Sequence, residues 1–91
     1  MVAVISSPVR IMNAAGLHAR PAANIVNTAK QYQSEIKLLH KGIEANAKSL
    51  VSVMGLDVSK DDQIQIKADG LDANEAMLAV STMIASGCGE D

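Results

Sequence analysis

The chain has 91 residues, enough for one compact domain and too few for two. Its apolar fraction of 48% permits a core, which must be built from Ala, Val, Ile, Leu and Met because Phe and Trp are absent and Tyr32 is the one aromatic. A net charge of −2 with a single aromatic supplies neither a basic face nor a stacking platform, which argues against nucleic-acid binding.

The opening stretch Met1-Val2-Ala3-Val4-Ile5-Ser6-Ser7-Pro8-Val9-Arg10-Ile11 lacks the basic start and cleavage site of a signal peptide, and no apolar run reaches bilayer length. A cytoplasmic location without membrane insertion is the expectation. Val2 to Ile11 reads as a first strand, with Pro8 restricting it to an edge or a bulge. Asn13-Ala14-Ala15-Gly16 is a loop. Ala19 to about Lys30 is helical, because Ala22, Ile25, Val26 and Ala29 share one face. Pro21 falls in the first turn, where backbone N–H groups have no intrahelical acceptor, so it costs the helix little. His18 then stands at or beside the N-cap.

Ser34 to His40 alternates as a strand, Lys41-Gly42 is a tight turn, and Ile43 to Ala45 is the return strand. His40 reads as a partly buried strand-end residue. Ser49 caps a short helix from about Leu50 to Leu56. Lys60-Asp61-Asp62 is a turn with solvated charges. Gln63 to Lys67 is a strand with Ile64 and Ile66 facing in. Asp72 and Glu75 have the spacing of a capping box for a last helix, whose expected stripe is Ala76, Ala79, Val80, Met83 and Ile84, with Gly87 just past its end. Cys88, the single cysteine, is expected exposed in a frayed end and excludes an internal disulfide. The order βαββαβα predicts an open two-layer α/β sandwich in one domain over 1–88, followed by a short polar tail, 89–91. Met1 and the polar end Gly89-Glu90-Asp91 read as complete termini.

The site signal is Gly16-Leu17-His18-Ala19-Arg20-Pro21-Ala22-Ala23. It puts an imidazole at a helix mouth and a guanidinium two residues later. A helix N-terminus offers unpaired N–H groups and partial positive charge, and Arg20 adds a fork of donors matched to phosphate oxygens. Neutral imidazole is a nucleophile that can accept a phosphoryl group on nitrogen. Gly16 and Ala19 leave room for it. No zinc pattern can be assembled from His18, His40 and Cys88, and no glycine-rich nucleotide loop is present, so no metal or cofactor is expected.

Gly16-Leu17-His18-Ala19-Arg20-Pro21-Ala22-Ala23 resembles the active-site signature of HPr, the histidine-containing phosphocarrier of the bacterial phosphoenolpyruvate-dependent phosphotransferase system. Lys48-Ser49-Leu50-Val51-Ser52-Val53-Met54-Gly55-Leu56-Asp57 resembles that family's second signature, around its regulatory serine. Both lie in the family's order and at its separation. The resemblance implies a four-stranded antiparallel sheet under three helices and a monomer. It implies phosphorylation of His18 on Nδ1, with Arg20 and the backbone N–H groups of Ala19 and Arg20 holding the phosphoryl group. Enzyme I would be the donor, EIIA-type domains the acceptors, and a serine kinase/phosphorylase a further partner acting on Ser49.

A two-turn helix cannot bury all of Leu50, Val51, Val53, Met54 and Leu56. Leu50 and Val53 are expected in the core. Val51 and Met54 are the interface candidates with Arg20 and Ala19, and Leu50 is also counted in the partner-binding set with Arg20, Val51 and Met54. A regulatory module acting through Ser49 and its apolar patch, without a relay, is the competing reading; a carrier domain of a larger phosphotransferase is a third. The Ser-Gly stretch and acidic tail in Ile84-Ala85-Ser86-Gly87-Cys88-Gly89-Glu90-Asp91 suggest the nitrogen branch of the system rather than sugar uptake, while Lys48-Ser49 fits either, so the choice between branches stays open.

Overall fold

The computed structural model describes residues 2–89. The chain forms β1 (Val2–Ile5), β2 (Val9–Arg10), α1 (Ala19–Ala29), β3 (Glu35–His40), β4 (Ile43–Asn46), α2 (Leu50–Gly55), β5 (Gln63–Gly70) and α3 (Ala73–Ala85). The strands pair antiparallel in the order β1-β5-β3-β4, and β2 also pairs with β5. Val2 lies opposite Gly70, Glu35 opposite Asp69, and His40 opposite Ile43. The expected four-stranded antiparallel sheet with three helices is therefore present, its first strand broken in two.

The break has a local cause. Pro8 cannot donate to a ladder, and Ser6 substitutes side-chain chemistry for one: its N–H donates to the Ile66 carbonyl at 2.8 Å while its hydroxyl accepts the Ile66 N–H at 2.9 Å. Pairing resumes at Val9 opposite Ile64. Strand alternation then sorts the two faces. Ile36, Leu38, Ala45, Ile64, Ile66 and Ala68 are buried on the helical side. Lys37 and Lys67 meet Glu44 at 3.5 and 3.7 Å on the open face. β5 runs three residues beyond the expected Lys67, because Ala68 and Gly70 continue the buried alternation.

α1 buries Pro21, Ala22, Ile25, Val26 and Ala29, as the periodicity predicts. α3 buries Ala73, Ala76, Val80 and Ile84, while Ala79 and Met83 are only partly covered. Its C-terminus is a Schellman closure: Gly87 donates to Ile84 at 3.1 Å and Cys88 to Met83 at 2.8 Å.

Five expectations fail. Cys88 is not exposed: its side chain is fully buried in the core cluster. The capping box at α3 does not form, because the Asp72 carboxylate caps nothing on its own helix and instead accepts the N–H groups of Gln33 and Ser34, each at 2.9 Å. Asp61 and Asp62 are engaged rather than merely solvated. Asp61 pairs with Arg10 at 3.2 Å, and Asp62 accepts the Ser59 N–H at 3.0 Å and lies 3.1 Å from His40 Nε2. His40 is correspondingly buried, not partly exposed, with Nδ1 3.2 Å from the Leu56 carbonyl. Finally, Leu50 is 40% exposed and not in the core, since Val53 and Leu56 take the inward face of α2. Of the expected polar tail, Glu90 and Asp91 lie outside the described residues.

Candidate functional site

The loop before α1 is built to present one side chain. Gly16 donates to the Asn13 carbonyl at 2.9 Å, closing a turn, and Leu17 donates to the Val58 carbonyl at 3.0 Å. Gly16 has φ +73, and a Cβ there would lie 2.1 Å from the Val58 oxygen, so only glycine allows this close approach of two backbones. Leu17 is buried on one side of His18 and Pro21 on the other. Between these two anchors the imidazole is held outward.

His18 is the N-cap of α1, with extended backbone (φ −91, ψ −163), and its carbonyl accepts the first helical bond from Ala22 at 2.9 Å. Its ring makes no capping hydrogen bond, so the helix does not consume it. Ala19 and Arg20 are the first two helical residues, and both are exposed. Their N–H groups belong to the set that an α-helix leaves without internal acceptors, and no acidic residue in the first turn competes for them. An anion on the imidazole would meet this positive helix end.

An open crevice of about 620 Å³ adjoins the ring, lined by Met12, Asn13, Ala14, Ala15, His18, Ala85, Ser86 and Gly87. Its far wall is the turn after α3. That wall was not legible in the sequence, where the only signal was the Gly87-Cys88-Gly89 run.

α2 packs against α1. Ser49 is its N-cap and its hydroxyl accepts the Ser52 N–H at 3.3 Å, as predicted. Lys48 fixes the approach, donating from Nζ to the Tyr32 carbonyl at 2.6 Å just past α1. Val51 is 83% exposed, and Met54 and Leu50 are about half as open, so the outer side of α2 is an apolar surface beside the helix that His18 begins. His40 does not join the site, its ring being turned into the core toward Leu56 and Asp62. Among the described residues no cluster of three or more His, Cys, Asp or Glu side chains could hold a metal ion, and no helix is long and apolar enough to cross a membrane.

The family model described as "PTS HPr component phosphorylation site" matches residues 5–86. The phosphocarrier protein HPr of Mycoplasma genitalium is 41% identical over 83 residues, covering 90% of this chain and 88% of its own. The multiphosphoryl transfer protein of Salmonella typhimurium is also 41% identical, over 90 residues, but this chain spans only 24% of that protein's length. Among solved structures, HPr-C-His from Thermoanaerobacter tengcongensis superposes with a TM-score of 0.87 at 38% identity, covering 100% of this chain and 99% of that one. The HPr of Bacillus anthracis gives 0.85 at 32% identity, covering 92% and 99%.

Fold and site thus define a carrier class, proteins that hold a phosphoryl group in passage. The chain belongs to the HPr family, the phosphocarriers of the phosphotransferase system.

Proposed function

We propose that His18 is the relay residue: it accepts a phosphoryl group from phospho-enzyme I and passes it to EIIA-type domains. The observation that carries this reading is an exposed imidazole at the N-terminus of α1 whose ring the helix does not use. In the forward step a ring nitrogen, Nδ1 by family resemblance, attacks phosphorus. A P–N bond forms as the bond to the donor breaks. The Ala19 and Arg20 N–H groups and the Arg20 guanidinium then face the phosphoryl oxygens, and the helix end stabilises their charge. The second transfer reverses the roles, so the chain is consumed and regenerated stoichiometrically and is not an enzyme.

The partner surface comprises Arg20, Leu50, Val51 and Met54, which are exposed around and beside the His18 helix. Ser49 is the regulatory residue. A phosphoryl group there adds about two negative charges at the edge of this surface and weakens docking of acidic partners. The unit is one carrier domain over 1–88, acting as a cytoplasmic monomer. A regulatory module without a relay is not favoured, because the family match spans the His18 loop as well as the Ser49 helix.

Incubation with enzyme I and phosphoenolpyruvate tests the reading. The expected product is an acid-labile, base-stable adduct that disappears in His18→Ala. A wild-type chain that acquires no adduct overturns the proposal.

A further inference from the structure

The turn that walls the His18 crevice is held in place by two asparagines. Asn13, in the loop before α1, donates from Nδ2 to the Gly87 carbonyl at 2.8 Å. Asn24, within α1, donates from Nδ2 to the Cys88 carbonyl at 2.7 Å. The two donors lie on either side of His18 in the chain and grip adjacent carbonyls across 74 and 64 positions. Gly87, Cys88 and Gly89 all have positive φ (94, 57 and 75), a conformation that Cys88 adopts against its local preference. Its side chain is nevertheless fully buried. A turn of this kind needs outside contacts to persist.

Asn13 also leaves its Oδ1 buried with no hydrogen-bond partner among the described residues. A buried orphan acceptor is costly, so the amide is not placed there for its own satisfaction. Its position serves the Gly87 carbonyl.

We propose that Asn13 and Asn24 are positioning residues of the phosphoryl-transfer site, clamping the Gly87–Cys88 turn as a fixed wall beside His18. The inference rests on His18 being the relay residue. Transfer between two proteins requires the reacting atoms to be aligned within a few ångströms, and a wall fixed beforehand need not be ordered on docking. The clamp therefore acts on partner engagement, through the shape of the crevice, without touching the phosphoryl group.

Cys88 supplies the test, because its thiol reports opening of the turn. In Asn13→Ala and Asn24→Ala its reaction with 5,5′-dithiobis-(2-nitrobenzoate) is expected to quicken about fivefold each, and about twentyfold in the double variant. The acceleration should depend little on added urea, as local opening does and global unfolding does not. Histidine ring signals by NMR should shift for His18 and stay fixed for His40, and KM for phospho-enzyme I should rise several-fold with the maximal rate largely kept. Asn24→Asp preserves shape without the amide donor and should behave as Asn24→Ala, which covers a failure of the alanine variants to fold. A wild-type thiol rate in the variants overturns the clamp. So does a released thiol with unchanged His18 signals and unchanged KM. If the wild type accepts no phosphoryl group, the relay reading falls separately, and the thiol and NMR results still decide the clamp.

Discussion

Asp72 and Ser34 are joined twice: Oδ1 of the Asp72 carboxylate accepts both the backbone N–H of Ser34, at 2.9 Å, and the Ser34 hydroxyl. Oδ2 accepts the Gln33 N–H at 2.9 Å. One carboxylate thereby ties the start of α3 to the loop that leads into β3. These bonds hold the Asp72 carboxyl below its ordinary value, the Ser34 hydroxyl contributing most.

Acid should expose this tie. A carboxyl depressed in the folded state stabilises the protein above its unfolded value, near pH 4, and that stabilisation is lost as pH falls through the folded value. Asp62 is shifted the same way, chiefly by the Ser59 N–H, and adds to the trend. Asp72→Asn should therefore be less stable than wild type at neutral pH, with the gap closing as pH falls below about 4. Urea unfolding across that range measures it. A gap independent of pH would refute the assignment.

Gly16→Ala should be damaging out of proportion to one methyl group. The added Cβ would lie 2.1 Å from the Val58 oxygen at a φ of +73, so the loop or the Val58 strand connection must move. A loss of roughly 2 kcal/mol or more is expected in urea unfolding, together with slower phosphorylation of His18.

Ser49 can be separated into its two roles. Ser49→Ala removes the acceptor for the Ser52 N–H and should cost about 1 kcal/mol. Ser49→Asp retains a good N-cap and adds charge, so its stability should remain within about 0.5 kcal/mol of wild type while transfer to EIIA-type domains falls. Thermal unfolding and transfer assays on the same samples distinguish the two.

Neighbouring valines of α2 should diverge. Val53 is fully buried, and Val53→Ala should cost roughly 2 kcal/mol through lost burial and the space left behind. Val51 is 83% exposed, and Val51→Ala should change stability by less than about 0.5 kcal/mol. Its effect should appear in KM for protein partners.

Elements governed by near neighbours were legible from the chain. The inward face of α1, the Ser49 cap, the Lys41-Gly42 turn and the buried isoleucines of β5 each follow from spacings of two to four residues, and they stand where periodicity puts them. So does His18 as N-cap, because the proline and the apolar stripe after it locate the helix start. Asp72 shows the limit of such reasoning. Its capping-box spacing with Glu75 is real, but two N–H groups and a hydroxyl from a distant loop compete for the same oxygens and win.

What the amino-acid sequence determined by itself was the order of elements, the faces they bury and the imidazole at the mouth of α1. Tertiary structure decided the surroundings of that imidazole. Cys88 reads as part of a polar end, yet it lies in the core, in a turn whose carbonyls are bonded by Asn13 and Asn24 from 74 and 64 positions away. Local propensity acts over a few residues and leaves its mark as periodicity. A hydrogen bond between distant segments leaves no such mark, and two such bonds reach the wall beside His18.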